Sequence, residues 1–500
     1  MNWRTILEEL ERKRAFAKSM GGEERLAKHA ASGKLNARDR ARALFDDGQF
    51  FEIGALAGNL SESGDSAAPA DGLIAGFGLV DGRPVLAAAE DFTVLGGSIG
   101  DAAASKRYRL TQLAKQERVP LVFMLEGAGH RLSNTHATPS PNDLQGLAEL
   151  SGFVPMVCLV LGPSAGHGAL TAPLSDFVVM TPQASLFVAG PPIVKAAIGE
   201  VITKEKLGGP QVHLASGVAH NLAADDAAAI QMARNYLSYL PANAWGAAPD
   251  VDGADQGPRR LEAILDLISP DPRVPFDARA LLAMLVDNGS LLEIQPVYGA
   301  SLLTALARMG GRSVAIVANN PSIMAGAIDA AAAQKAARFL SIADAFHVPV
   351  IFLTDNPGVL PGSAAEQAGA LRHAARLFAM QHRLQVPKLH VTLRKAFGFG
   401  SSIMAMNPFD SQTLSLAFPA ISLGAMPADA GADIAKMSED EKRAAVARQT
   451  GAAWEMAHKL AYDDVIDPRD LRDALLSGLT LMRNRLGAEN APAARIGVLP

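Results

Sequence analysis

Gly162-Pro-Ser-Ala-Gly-His-Gly168 follows the apolar run Pro155–Leu161, and a second stretch, Arg394-Lys-Ala-Phe-Gly-Phe-Gly400, follows Pro387–Leu393. Each pairs a short apolar run, which reads as a buried strand, with a glycine-rich turn. Glycine lacks a Cβ, so such a turn can bring backbone N–H groups close to a ligand. The pattern points to N–H donors aimed at an oxygen that becomes negative during a reaction.

Outward from these stretches the chain repeats itself. A shift of 229 residues without a gap lays Gly82–Gly129 on Gly311–Gly358, and 16 of the 48 pairs are identical. The identities fall at turns, on a helix and at a strand end: Gly97/Gly326, Lys106/Lys335, Pro120/Pro349 and Gly129/Gly358. With three residues added, Gly166 meets Gly398 and Gly168 meets Gly400. Phe51-Glu-Ile-Gly54 answers to Leu292-Glu-Ile-Gln295 in the same order. The chain reads as a tandem duplication of one α/β unit, with strands alternating with helices as in a βαβ core.

The boundary falls between Leu240 and Pro275, in a stretch rich in Pro, Gly and Asp, giving domains at residues 1–250 and 255–500. Residues 2–30 read as one charged helix, residues 100–118 as another, and Leu121–Leu125 as a strand. Ser438-Glu-Asp-Glu441 has capping-box spacing and predicts a helix running to about Ala461.

Composition narrows the function classes. A net charge of −5 without a dense basic block argues against nucleic-acid binding. No apolar run approaches the roughly 18 residues needed to span a bilayer, and the charged start is no signal peptide. A single cysteine, Cys158, excludes an internal disulfide framework and any Cys-based zinc ribbon. No H-E-x-x-H, EF-hand loop or phosphate-binding P-loop is present, so no metal is expected on this chain. These features describe a cytoplasmic enzyme.

Gly162-Pro-Ser-Ala-Gly166 also fits the nucleophile-elbow pattern G-x-S-x-G, which would make Ser164 a serine-hydrolase nucleophile. The duplicate carries Ala396 where Ser164 falls and keeps the glycines, so the halves share a backbone feature rather than a hydroxyl. His167 is a candidate general base, although no carboxylate partner is identifiable in the sequence, and His130 beside Arg131 reads the same way. Gly76-x-Gly-x-x-x-Gly82 misses dinucleotide spacing. Asp355-Asn-Pro-Gly-Val-Leu-Pro-Gly362 begins where a strand ends and reads as a rigid wall of a ligand site.

Taken together, the motifs resemble the carboxyltransferase (β) subunit of biotin-dependent acyl-CoA carboxylases of the propionyl-CoA/methylcrotonyl-CoA type. The pieces that carry the resemblance are Lys34-Leu-Asn-Ala-Arg-Asp-Arg40, Gly96-Gly-Ser98, Gly162-Pro-Ser-Ala-Gly166, Val188-Ala-Gly-Pro-Pro192 and Gly208-Gly-Pro-Gln-Val-His213. In the second half they are Asp355–Gly362, Arg394-Lys-Ala-Phe-Gly398 and Asp463-Asp-Val-Ile-Asp-Pro-Arg469.

The resemblance implies two crotonase-like (ClpP/crotonase) ββα-superhelix domains in tandem. It also implies a hexamer, a dimer of trimers, with active sites between domains of different protomers. The implied reaction moves a carboxyl group from N1′ of carboxybiotin to the α-carbon of an acyl-CoA, with biotin as base, and belongs to fatty acid metabolism. By position, the amides of Gly166 and His167 would serve the thioester oxygen and those of Phe399 and Gly400 the biotin ureido oxygen. Gly127, Ala128 and Gly129, together with Pro357, Gly358 and Ser402, would line the ligands. No Met-Lys-Met biotinylation site occurs, so biotin would arrive on a biotin carboxylase/biotin carrier partner.

Three departures from the family pattern stand out. His167 replaces a glycine, Glu126-Gly-Ala-Gly-His-Arg131 stands where the family has Asp-Ser-Gly-Gly-Ala-Arg, and Ser402 replaces an aspartate associated with short acyl groups. The acyl group is therefore open, as is the direction of transfer: a decarboxylase or transcarboxylase running the step in reverse fits equally. A non-catalytic scaffold and the serine hydrolase remain as alternatives from other classes.

Overall fold

The computed structural model describes residues 2–58, 67–131, 142–253, 255–485, 491–492 and 498. The chain divides into two compact units, Met1–Ala244 with the last residues of the chain, and Trp245–Ala493.

The strands of the first unit are β1 (Phe50–Ile53), β2 (Leu73–Val80), β3 (Arg83–Glu90), β4 (Leu121–Gly127), β5 (Met156–Ala165), β6 (Phe177–Met180), β7 (Ser185–Phe187) and β8 (Asn221–Leu222). They form one mixed sheet in the order β1-β2-β3-β4-β5-β6-β8, with β7 paired to the end of β5. The β1–β2–β3 ribbon is antiparallel and the remaining pairings are parallel.

The second unit repeats this strand for strand. Its strands are β9 (Leu292–Ile294), β10 (Leu302–Met309), β11 (Arg312–Asn319), β12 (Val350–Asn356), β13 (Lys388–Phe397), β14 (Gln412–Ala417), β15 (Ser422–Gly424) and β16 (Asp464–Val465). Their order is β9-β10-β11-β12-β13-β14-β16, with β15 on the end of β13.

The central parallel strands β4, β12 and β13 are buried along their whole length, as in other parallel sheets covered on both faces. Cys158, in the middle of β5, is wholly buried in this core, and burial pushes its thiol pKa up. It is a packing residue, not a nucleophile.

The duplication extends past the window visible in the sequence. Helix Ala37–Leu44, capped by Asn36, corresponds to helix Ala278–Leu285, capped by Asp277. Each sends an arginine to the first strand of its sheet: Arg38 to Glu52 and Arg279 to Glu293. Lys106 and Lys335 sit at matching places on helices Asp101–Glu117 and Ala330–Ala345. Lys106 Nζ donates to the carbonyls of Ala70 and Leu73 at 2.6 and 2.7 Å. Lys335 Nζ donates to those of Gln295 and Leu302 at 3.1 and 2.6 Å. The shared lysine thus satisfies carbonyls at the start of each antiparallel ribbon, which would otherwise be buried without a donor.

Two long helices expected from the sequence are broken. The N-terminal one divides into Trp3–Lys18 and Glu23–Ala31. Met20 and Gly22 there adopt left-handed φ of 53° and 86°, and Gly21 lies so close to the Thr93 carbonyl that a Cβ would stand 2.2 Å from it. The capping box at Ser438–Glu441 forms, but its helix ends at Thr450 and a second one, Ala452–His458, follows across Gly451.

Burial lowers the pKa of Lys106 to about 8 and that of Lys335 to about 7, against 10.5 for the free side chain. Between those values the unfolded chain binds more protons than the folded one, so this contribution to stability rises with pH from about 7 to about 10. The urea midpoint is expected to climb over that range, and less steeply in Lys335→Met. An identical slope in the variant would contradict this reading.

Candidate active site

The site is built at the carboxyl ends of the central strands, where ligands bind in sheets of this kind. In the first unit, the last-but-one residue of β4 is Glu126, a carboxylate nearly sealed from solvent. His29 Nε2 lies 3.0 Å from its Oε2, Lys34 Nζ donates to Oε1 at 2.6 Å, and Arg40 lies 2.6 Å from Oε2. Burial raises the pKa of Glu126, but the bond from His29 and the charges of Arg40 and Lys34 outweigh it and hold the group at about 2. Arg40 is anchored in turn on Asp226, which also accepts the Leu35 N–H. The Lys34–Arg40 motif is therefore a clamp on the exit of β4.

The matching position in the second unit is Asp355, also wholly buried. Its cations come from the next strand: Arg394 donates to Oδ2 at 2.6 Å, and Lys395 approaches through its N–H and its Nζ, both at 3.2 Å.

Beyond these carboxylates the two exit loops coincide. The Gly129 carbonyl accepts the Ile99 N–H at 2.8 Å, and the Gly358 carbonyl accepts that of Ile328 at 3.1 Å. Both glycines have positive φ, 83° and 121°. Ala128 donates to the Gly96 carbonyl, and Gly127 packs so closely on the Gly97 carbonyl that a Cβ would lie 2.3 Å from it. Pro357 and Gly358 hold the equivalent stretch in the second unit. The facing loop is strained in both copies: Leu95 and Met324, neither a glycine, take φ of 48° and 47°. Backbone held in this way concentrates at functional sites.

The structure moves the glycine turns from where the sequence placed them. β5 stays extended through Gly162-Pro-Ser-Ala165 because Pro163–Ala165 pair with β7, and β13 likewise runs to Phe397 against β15. The chain turns only at Gly166 and Gly398, with φ of 60° and 57°. Two consequences follow.

First, the Gly166 N–H donates to the Phe187 carbonyl at 3.0 Å and is not a donor for a ligand. Of the expected pair, Gly166 and His167, the Gly166 amide is thus already engaged. The amides heading the helical turn after Gly166 are those of His167 and Gly168, and the first N–H groups of such a turn have no intrahelical partner. This pair is in register with Phe399 and Gly400, which head the helix Gly398–Ile403. Phe399 is about half exposed, at 54 %, and Ser402 lies on the same helix, its carbonyl accepting from Gln381 and Asn407.

Second, Ser164 is a strand residue, 1 % exposed, and its Oγ has no hydrogen-bond partner among the described residues. It does not sit on the sharp, exposed turn that a nucleophile elbow requires.

The sequence reading also missed a partner for His167. Its Nε2 lies 2.5 Å from Asp143 Oδ1. Asp143 opens helix Asp143–Leu150 and accepts Arg107 Nε at 2.7 Å. Arg107 is fully buried and reaches Glu90 and the hydroxyl of Thr171 as well, while its guanidinium covers the Phe123 ring at 4.7 Å. Burial raises the pKa of Asp143, but Arg107 and His167 outweigh it and leave it at about 2. The His130 ring meets the His167 ring edge-on at 4.6 Å. The two histidines line a cavity of about 880 Å³ together with Leu95, Ala128, Gly129 and Gly166.

The carboxyl transferase domain family matches residues 28–490. The chain is 34% identical to the methylmalonyl-CoA decarboxylase subunit alpha of Veillonella parvula, over 99% of this chain and 98% of that one. It is 35% identical to the methylmalonyl-CoA carboxyltransferase 12S subunit of Propionibacterium freudenreichii subsp. shermanii, over 99% and 97%. To the propionyl-CoA carboxylase beta chain of Cereibacter sphaeroides it is 32% identical, over 96% and 97%. The crystal structure of transcarboxylase 12S, a hexamer with methylmalonyl-coenzyme A and methylmalonic acid bound, superimposes with a TM-score of 0.91 at 34% identity, covering 100% of this chain and 99% of that one. The two mixed sheets are thus the tandem crotonase-like fold, and the chain belongs to the carboxyl transferase domain family, as a carboxyltransferase of the biotin-dependent acyl-CoA class.

Proposed function

We propose that the chain moves a carboxyl group between N1′ of carboxybiotin, carried on a partner subunit, and the α-carbon of an acyl-CoA. The observation that carries this reading is the pair of amide-bearing turns, one per unit, each at the end of a central strand and in the same register. Carboxyl transfer develops negative charge on two oxygens, the thioester oxygen and the ureido oxygen of biotin. Preorganised N–H donors stabilise such oxygens by several kcal/mol without reorganising during the reaction.

In this reading His167 and Gly168 serve the thioester, and Phe399 and Gly400 serve biotin. Ala128 and Gly129, with Gly127 behind them, wall the first ligand; Pro357, Gly358 and Ser402 wall the second. A second cavity of about 750 Å³ in the first unit is lined by Arg25, Lys28 and Lys204 beside Phe92. Its cations suit the phosphates of coenzyme A. β5 contributes Pro163 to this cavity and Ala165 to the histidine-lined one, so a single thioester ligand could reach from one to the other.

Biotin supplies the carboxyl group and acts as the base when bound; the chain contributes orientation and the two sets of amides. The assembly in this reading is a hexamer working in the cytoplasm with a separate biotin carboxylase and biotin carrier. The relatives include both carboxylating and decarboxylating enzymes, so one site serves either direction of transfer. No helix among the described residues is long and apolar enough to cross a membrane.

Reconstitution with a biotinylated carrier and biotin carboxylase is expected to give ATP-dependent incorporation of labelled bicarbonate into an acyl-CoA. Absence of incorporation across short, branched and long acyl-CoAs, together with no exchange of label from a carboxylated acyl-CoA to biotin, would sink the proposal.

The role of the turn has its own test. His167 has φ of −55°, which proline adopts freely, and proline is tolerated at the head of a helix while lacking an N–H. His167→Pro is expected to lower carboxyl transfer by about 10²–10³-fold with the thermal midpoint little changed, whereas His167→Gly keeps the amide and retains more activity than His167→Pro. Equal activities in the two variants would contradict an amide role at this position.

A further inference from the structure

Carboxyl transfer in which biotin is the base leaves the imidazole of His167 without a task, yet the ring is held by Asp143 and packed on His130. Asp143 is ionised and can only accept, so the nitrogen it faces, Nε2, carries a proton. Nδ1 is then the nitrogen left to gain and lose a proton, on a residue that lines the cavity. Asp143 is fixed from behind by Arg107, as a buried carboxylate fixes the imidazole of a catalytic dyad. The groups around His167 leave this role open to it. Burial and the neighbouring His167 push the pKa of His130 down. Arg131 is committed to Asp71 and Ser98, and Ser164 is buried away from solvent.

From this geometry we infer that His167 is a catalytic acid–base that exchanges a proton with the α-carbon of the bound acyl-CoA, giving the chain a biotin-independent decarboxylase activity toward 2-carboxyacyl-CoA thioesters. The inference rests on the carboxyltransferase reading, because it needs the thioester seated on the first-unit turn.

The step balances without another reactant. The bond between the α-carbon and the carboxylate breaks, and CO2 leaves. The electron pair passes into an enolate whose oxygen lies on the turn amides. Protonated His167 gives its Nδ1 proton to the α-carbon, and water returns a proton to Nδ1. In the other direction, neutral His167 removes an α-proton from the acyl-CoA, which appears as hydrogen exchange. Asp143 is a positioning residue: it orients the ring through its contact with Nε2.

The test uses the full-length chain with no biotin-carrying partner. Propionyl-CoA in D2O is followed by mass spectrometry for α-deuteration, methylmalonyl-CoA in water is followed for CO2 release, and the Kd of each is measured by calorimetry. The wild-type chain is expected to deuterate the first and decarboxylate the second. His167→Gln should slow both by at least about 100-fold, and Asp143→Asn by about tenfold or more, with the loss in the rate rather than in the Kd. Binding without exchange in the wild type, or exchange that survives His167→Gln, overturns this inference and leaves the carboxyltransferase reading standing. Failure to bind either thioester overturns both. Release of free coenzyme A thiol without deuteration shows the dyad acting on water instead of the α-carbon and overturns the inference.

Discussion

One electrostatic constraint recurs in both halves: a buried carboxylate near the end of the fourth strand, paired with cations from elsewhere in the unit. An unpaired carboxylate in that position would cost several kcal/mol, so the strand exit is fixed only when its cations are in place. In the first unit Lys34, from the loop after helix Glu23–Ala31, and Arg40, from helix Ala37–Leu44, reach Glu126, and His29 is hydrogen-bonded to it. In the second, Arg394 and Lys395 reach Asp355 from the neighbouring strand. Everything that gives the site its shape lies beyond this point: the exit loop, the left-handed residues facing it, and the turn whose amides head a short helix.

The same backbone device has been furnished differently in its two copies. The turn of the first unit carries His167, tied to Asp143 and Arg107 and set against His130. The turn of the second carries Phe399, largely exposed, beside Ser402. Main-chain donors common to both turns fit a reaction with two oxyanions, while unlike side chains fit two unlike ligands. Duplication has kept the positions of the N–H groups and left the side chains on the same residues free to change.

Much of this was legible in the sequence. Glycines at turns, a lysine on a helix and a proline before a strand recurred at a fixed shift because each meets a backbone requirement that does not vary between copies. What escaped was set by contacts between distant positions. Asp143 lies 24 residues from His167, at the head of a helix, and neither periodicity nor spacing links the two. The engagement of the Gly166 N–H depends on the Phe187 carbonyl of a three-residue strand, so the turn was read one residue too early. The break in the helix expected over residues 2–30 depends in the same way on a distant contact, that of Gly21 with Thr93.

The most direct measurement is a structure of the chain with an intact acyl-CoA thioester bound. The thioester oxygen is expected about 3 Å from the N–H groups of His167 and Gly168, with the Gly166 N–H still on the Phe187 carbonyl. A thioester seated away from the first-unit turn, or an oxygen bound by Gly166 after displacing Phe187, would contradict the account.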